Sequence, residues 1–273
     1  MANNLKQYEY YRTENGVLYC GDCLTIMPQL EPVDLVLTSP PYDNLREYDG
    51  YKFDYKKTIL SIKQILNTGG VCVWVVGDET KDGSESGNSF RHALFFIETG
   101  LNLHDTMIYE KNGVMPSINR YCQMFEYMFI LSNGKPKTTN LIIDRLNNWG
   151  NTKTGNIGQR QKDGSVLKRG VKEIKEYGMR FNIWKINNEG GFMNKDVLTK
   201  EHPATFPETL ANDHIISWSN KGDVVADIMC GSGTTCKISE KLDRRWIGIE
   251  ISEKYCEIAA KRIEQERKQL KLF

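Results

Sequence analysis

The sequence predicts a doubly wound, mostly parallel α/β sheet, and three observations carry that prediction. Short apolar runs recur along the chain and end in turn chemistry, as strands covered on both faces do. Helical patterns fall between several of them, the alternation expected of β-α-β units. Two of the runs stop abruptly in proline or glycine: Val33-Asp34-Leu35-Val36-Leu37 enters Thr38-Ser39-Pro40-Pro41-Tyr42, and Asp223-Val224-Val225-Ala226 enters Asp227-Ile228-Met229-Cys230-Gly231-Ser232-Gly233. A chain of 273 residues with 40% hydrophobic content has enough apolar surface for one substantial core plus an insertion.

In chain order, the strand at Val33–Leu37 must end at Pro40-Pro41, because proline cannot donate to a sheet ladder and biases its predecessor toward extended geometry. Asp43 to Tyr51, which includes Arg46, is polar, aromatic and glycine-bearing, the pattern of a loop over a site. Phe53 to Leu66 has helical apolar spacing, Asn67-Thr68-Gly69-Gly70 is expected to stop it, and Val71 to Val76 is expected as a buried strand. A helix around Ser89 to Glu98 follows, then strands at Leu103 to Glu110 and Phe125 to Leu131, the latter closing at Ser132-Asn133-Gly134. In the last third, Gly231 and Gly233 permit a tight turn and close approach of a ligand, Thr234 to Leu242 reads as a helix, and Arg245 to Ile251 as a strand. Ser252 can cap a final helix whose apolar face is Tyr255, Ile258, Ala259 and Ile263.

In open α/β sheets ligands bind outside the carboxyl ends of the strands. The proline-stiffened end presents the Ser39 hydroxyl, the Pro40 carbonyl, Pro41 and the Tyr42 ring there. An exocyclic base amine is a poor nucleophile, because its lone pair is delocalised into the ring. Two acceptors on its N–H groups favour a pyramidal nitrogen and stabilise the positive charge that develops during attack. An aromatic ring holds such a base by stacking, and a base in a duplex must be flipped out to reach it. The glycine turn is the second half of the pattern. Glu250 lies 23 positions beyond Asp227, a distance at which a carboxylate commonly holds ribose hydroxyls. The turn lacks a third glycine and a phosphate-binding lysine, which suits a nucleoside cofactor without phosphates.

With both motifs in view, the chain resembles the S-adenosyl-L-methionine-dependent DNA amino-methyltransferases (N4-cytosine/N6-adenine family), in the permuted β class whose catalytic Pro-Pro-Tyr segment precedes the cofactor glycine loop. The resemblance implies a circularly permuted Rossmann-like methyltransferase fold. It assigns catalysis to Ser39, Pro40, Pro41 and Tyr42. It assigns the cofactor to Thr38, Asp227, Met229, Cys230, Gly231, Ser232, Gly233, Thr234, Glu250 and Ile251, with Asp22 and Cys23 beside its adenine. His202-Pro203-Ala204-Thr205-Phe206-Pro207-Glu208 resembles the segment leading into the cofactor half, so His202, Pro203 and Phe206 join the set; Phe206 stands where the family usually has lysine. Family members with serine before Pro-Pro-Tyr more often methylate cytosine N4, those with aspartate or asparagine adenine N6. Cytosine N4 is therefore favoured and adenine N6 is the alternative.

Between the motifs the charge balance changes. Lys135 to Arg180 holds eleven basic and four acidic residues, +7 in a chain whose total is +1, with Trp149 and Tyr177 interleaved. Such a segment tracks phosphates, and Lys153, Arg160, Lys168, Arg169 and Arg180, with Arg46, are its DNA-binding candidates. The expected organisation is a catalytic half at 1–133, an inserted target-recognition region at 134–194 and a cofactor half at 195–273. Double-stranded DNA is the expected partner, with a cognate restriction endonuclease as a further one, and monomer and homodimer both fit. A methyltransferase for RNA or a small molecule, or a silent nucleic-acid-binding module, would share parts of this pattern.

No stretch reads as a membrane span or signal peptide, so a cytoplasmic, nucleoid-associated protein is expected. Seven cysteines, an odd number, argue for thiols in a reducing compartment. Cys20-Gly21-Asp22-Cys23 lacks a second ligand pair, and no metal is expected. Asp78 reads as a turn former, Arg120 and Glu126 as an ordinary ion pair, and His92, His104 and His214 as structural residues.

Overall fold

A computed structural model describes residues 4–41, 53–112, 119–155, 157–187 and 207–270, with backbone alone for Ile157, Lys168, Arg169 and Leu270. The strands are β1 (Glu9–Arg12), β2 (Gly16–Cys20), β3 (Val33–Thr38), β4 (Leu66–Val76), β5 (Thr80–Lys81), β6 (Ser84–Glu85), β7 (Asn102–Lys111), β8 (Phe125–Ser132), β9 (Ile143–Leu146), β10 (Ile157–Arg160), β11 (Val166–Arg169), β12 (Tyr177–Met179), β13 (Ile183–Ile186), β14 (Val224–Asp227) and β15 (Arg245–Glu250). The α-helices are α1 (Cys23–Ile26), α2 (Tyr55–Ile65), α3 (Asn88–Glu98), α4 (Glu208–Trp218), α5 (Thr234–Lys241) and α6 (Glu253–Leu270). Nine strands form one sheet in the order β1-β2-β15-β14-β3-β4-β8-β7-β13. Its middle, β2-β15-β14-β3-β4, is parallel throughout, β13 pairs parallel with β7, and β1/β2, β4/β8 and β8/β7 are antiparallel. This is a mostly parallel, Rossmann-like sheet.

The core follows from the apolar runs. Every residue of β3 is buried and β4 is buried from Gly69 onward, as a strand sandwiched between layers must be. Ile59 and Ile62 of α2, Phe96 of α3 and Trp74 of β4 are fully buried in one cluster. Leu18, Cys230, Cys236, Trp246, Cys256, Ala259 and Ile263 make a second cluster beneath the glycine turn.

The stop signal after α2 acts differently from its sequence reading. The helix ends at Ile65, but Asn67-Thr68-Gly69-Gly70 is already part of β4, where it forms an irregularity: Val33 pairs with Leu66 and Leu35 with Val71. Gly69, at φ +76°, donates to the Asn133 carbonyl at 2.6 Å and Asn133 donates back to Gly70 at 3.0 Å. The glycines shape a bulge because their polar backbone finds partners just beyond the end of the neighbouring strand, β8.

At the amino ends of the strands, Asp34 is buried and its carboxylate accepts from Lys137 Nζ at 2.7 Å, Asn67 Nδ2 at 2.9 Å and the Val224 N–H at 2.9 Å. Burial alone would raise that carboxyl; these donors hold it below its ordinary value.

By contacts the chain divides into two units, Met1–Asn140 with Ile183–Phe273, and Leu141–Asn182. The smaller unit is narrower than the 134–194 expected from charge, and β13 belongs to the main sheet. It consists of two antiparallel ribbons, β9/β12 and β10/β11, with an isolated bridge between Lys153 and Glu173. No helix of the described residues is long and apolar enough to cross a membrane.

Candidate active site

Both signature segments leave the sheet at one edge. β3 and β14 are parallel neighbours, with Leu35 opposite Val225 and Val36 opposite Ala226, so their carboxyl ends emerge side by side, about 4.8 Å apart in the hydrogen-bonding direction. The first continues into Ser39, half-buried, then Pro40, buried, and Pro41; the second into Met229, Cys230 and Gly231. The two are hydrogen-bonded across 189 residues of sequence: Thr38 Oγ1 donates to Asp227 Oδ1 at 2.8 Å. Asp227 also accepts from the Met229 N–H at 3.2 Å and from the Thr235 side chain. Burial pushes its carboxyl up to about 6 against the pull of these donors, and the nearby Glu250 charge adds to the rise. Asp227 therefore works inward, as a clamp between the two segments.

Next in the sheet, β15 pairs with β14 so that Gly248 faces Asp227, and Glu250 falls at the same edge. Glu250 is buried; its Oε2 accepts from the Gly231 N–H at 2.9 Å and its Oε1 from the Ser252 N–H at 2.9 Å. Desolvation raises its carboxyl despite these donors. The Ile251 N–H is a third donor, and a carboxylate with about four lone-pair sites still has capacity to accept a hydroxyl. Ile251 beside it is 46% exposed, an apolar surface at the rim. Beyond β15, Cys20 faces Glu250 and the Gly21 N–H donates to the Glu250 carbonyl at 2.8 Å. That contact places Asp22 and Cys23 at the edge too. The Asp22 side chain caps α1 by accepting from Leu24 N at 3.0 Å. Burial raises the Cys23 thiol to about 12, so it packs as a neutral side chain.

The turn after β14 needs its glycines. Gly231 has φ +51° and Gly233 φ +76°, and a Cβ on Gly233 would sit 2.7 Å from Ala259 Cβ. Ser232, Gly233 and Thr234 are buried. Cys230 N–H donates to the Ile249 carbonyl at 2.9 Å, which fastens the turn to β15.

The carboxyl edge of the sheet continues past β3 to β4. Asp78, just after β4, accepts from Ser86 Oγ and Ser89 N at 3.0 Å each and from the Ser89 hydroxyl, so it organises the start of α3 as a turn former does. Behind it, His92 accepts from Trp74 Nε1 at 3.3 Å and lies 4.5 Å from the Tyr55 ring. Burial lowers His92 to about 4 and His214 to about 3, so both are neutral structural imidazoles. Arg120 and Glu126 do not pair with each other: Arg120 donates to the Gly83 carbonyl and Glu126 pairs with Lys111 at 2.9 Å.

Within the smaller unit, Lys153 and Arg160 are exposed. Arg180 is engaged by Asp144 in a two-pronged ion pair. Lys168 and Arg169 lie in β11, and their side chains are outside the described residues. Tyr42, Arg46, His202, Pro203 and Phe206 also lie outside the described residues.

Three residues with clear structural roles at this edge escaped the sequence reading: Thr235, Glu208 and Arg262. For Arg262 a signal existed, since it sits between Ala259 and Ile263 on the apolar face of the last helix, where a charge is out of place.

Comparison with known proteins agrees with this geometry. The family model N6_N4_Mtase, described as DNA methylase, matches residues 33–261. The orphan methyltransferase M.BamHII of Bacillus amyloliquefaciens is 51% identical over 246 residues, 89% of this chain and 90% of the relative. The type II methyltransferase M.BamHI of the same organism is 29% identical over 97% of this chain, which spans 60% of that protein. Among solved structures, PvuII DNA methyltransferase (cytosine-N4-specific) superposes with a TM-score of 0.69 at 21% identity, covering 97% of this chain and 94% of that one. The M1.HpyAVI–SAM complex does so with a TM-score of 0.60 at 22% identity, over 90% and 98%. A match spanning both the proline-ended strand and the glycine turn makes this chain a member of the N6/N4 DNA methylase family, the amino-methyltransferases of DNA.

Proposed function

We propose that this DNA methyltransferase uses S-adenosyl-L-methionine to methylate N4 of cytosine in a flipped nucleotide, and that it belongs to the permuted β class. The observation that carries the reading is the adjacency of the two segments, with Thr38 hydrogen-bonded to Asp227 at 2.8 Å where β3 and β14 end. The cofactor supplies an electrophilic methyl on a sulfonium. Everything else falls to the protein's own side chains and backbone.

The donor set suits that cofactor. Glu250 is the acceptor for ribose hydroxyls, Ile251 and the Asp22-Cys23 bend flank a planar ring, and the Gly231–Thr234 turn admits backbone close to the ligand. On the acceptor side, the Ser39 hydroxyl and Pro40 carbonyl take the two N–H bonds of the amine and turn its lone pair toward the methyl. The reaction is a direct displacement, and the methylated amine loses its proton to solvent. Positioning is the main source of rate. Ser39 in front of Pro-Pro-Tyr supports cytosine over adenine. The exposed cations Lys153 and Arg160 suit contact with duplex phosphates.

Nucleoside analysis of DNA treated with the enzyme and cofactor tests this. N4-methylcytosine is expected; N6-methyladenine would reverse the base, and methylation of structured RNA in preference to duplex DNA would replace the substrate. Sequencing that maps the modified positions in DNA from cells expressing the protein gives the base and the recognition site together.

A further inference from the structure

Helix α6 carries a fully buried cation directly beneath the glycine turn. Arg262 is 2% exposed. Its guanidinium donates to the Ser232 carbonyl at 2.7 Å, to Ser232 Oγ at 3.1 Å and to Thr234 Oγ1 at 3.0 Å, and from its other terminal nitrogen to Glu208 Oε1 at 2.9 Å. Placing a cation there has a desolvation cost that an apolar residue of similar volume would avoid. Three of its four acceptors among the described residues belong to the turn itself. Only a planar fork with donors in fixed directions can satisfy a backbone carbonyl, two hydroxyls and a carboxylate from one point, which a lysine ammonium cannot.

Other contacts of the same helix act on the same edge. Ala259 lies against Gly233 so closely that only glycine fits, and Cys256 Sγ approaches the Glu250 carbonyl at 3.6 Å. Residues 256, 259 and 262 share one face of the helix, so a single rigid element sets both the turn and the acidic strand end. Glu208, at the start of α4, also receives Lys237 Nζ at 2.7 Å, and so ties the turn to the chain that enters the cofactor half.

We infer that Arg262 is a positioning residue for the cofactor turn: with Glu208 it holds the Ser232–Thr234 backbone in the conformation that binds the cofactor. The inference rests on the reading of that turn as the S-adenosyl-L-methionine site. The side chain touches neither the cofactor nor the base; it acts through Ser232 and Thr234.

Arg262→Lys and Glu208→Gln test it by calorimetric titration of S-adenosyl-L-methionine into the protein without DNA, alongside duplex affinity, turnover at saturating cofactor and thermal midpoint. For Arg262→Lys the cofactor Kd and KM rise about tenfold, with turnover at saturation and duplex Kd within about twofold of the parent. Glu208→Gln leaves the arginine in place, and its cofactor Kd rises about threefold. A cofactor Kd unchanged in both variants overturns the inference, even if the thermal midpoint falls, because that pattern is a merely structural role. If Arg262→Lys does not fold, Glu208→Gln alone decides on the same criterion. Absence of cofactor binding by the parent protein would instead overturn the reading of the turn.

Discussion

Asp227, Glu250 and Arg262, near the carboxyl edge of the main sheet, are buried and hydrogen-bonded, whereas most of the described charged residues in the Leu141–Asn182 unit are exposed. Asp227, Glu250 and Arg262 are 6%, 8% and 2% exposed and each meets donors or acceptors of the protein itself. Trp149, Ile143, Leu146 and Phe181 of the smaller unit are more than half exposed, and among its described cations Lys153, Arg160, Lys162, Lys172 and Lys175 are exposed while Arg145 and Arg180 are half-buried. The first region is completed by folding. The second presents apolar and cationic groups that folding leaves uncovered, as a surface for a polyanionic partner does. Chemistry should therefore fail when the first is altered and affinity for DNA when the second is.

The largest effect expected from this contrast is at Ser39. Ser39→Ala removes one of the two acceptors proposed for the amine and should lower turnover by about ten- to a hundredfold. Steady-state kinetics with parallel binding assays should show the Kd for cofactor and for duplex unchanged; full turnover would remove Ser39 from the mechanism and blur the contrast.

A smaller effect concerns Asp227. Its folded pKa, about 6, lies above the ordinary 3.8. The group therefore adds stability that is fully present below about pH 4 and lost as pH rises through about 6. Relative to Asp227→Asn, which has no such titration, the native protein should gain on the order of 1.4 kcal/mol per pH unit on acidification through that window. Urea denaturation of both proteins at about pH 7 and about pH 4.5 measures it. An equal stability gap at both pH values would mean that Asp227 ionises as freely as a surface carboxylate.

The smallest effect belongs to the ribbons. Arg160→Ala should weaken duplex binding and reduce the magnitude of its salt slope by about 1, with turnover at saturating DNA unchanged. Arg180→Ala should change the slope less, since Asp144 already neutralises that guanidinium. A fall in turnover for Arg160→Ala would break the division of labour.

The parts of this design that the sequence made legible are those governed by local rules. Proline ended β3, glycine shaped the turn after β14, and the spacing to Glu250 followed from one strand–helix–strand unit, so these ends could be placed before any fold was known. The missing parts depend on contacts between distant residues. The Thr38–Asp227 hydrogen bond joins residues 189 apart, and no spacing rule reaches that far. β13 alternates exposed and buried at the sheet's edge just beyond the basic stretch, so its four-residue strand pattern was absorbed into the region bounded by charge. Arg262 stood out only as a charge on an apolar helix face, because its acceptors Glu208, Ser232 and Thr234 lie 54, 30 and 28 residues back in the chain.

The Asp34 cluster gives the edge chemistry a remote gauge. Its carboxylate grips the first amide of β14, Val224, from within β3, four residues before Thr38. A one-residue slip between these strands would displace Ser39 along its neighbour by about 3.3 Å and turn every side chain of the slipped strand to the opposite face. That is more than a methyl group in flight can bridge, so a lysine and an asparagine at the far rim of the sheet act as guardians of reaction distance without ever meeting a reactant.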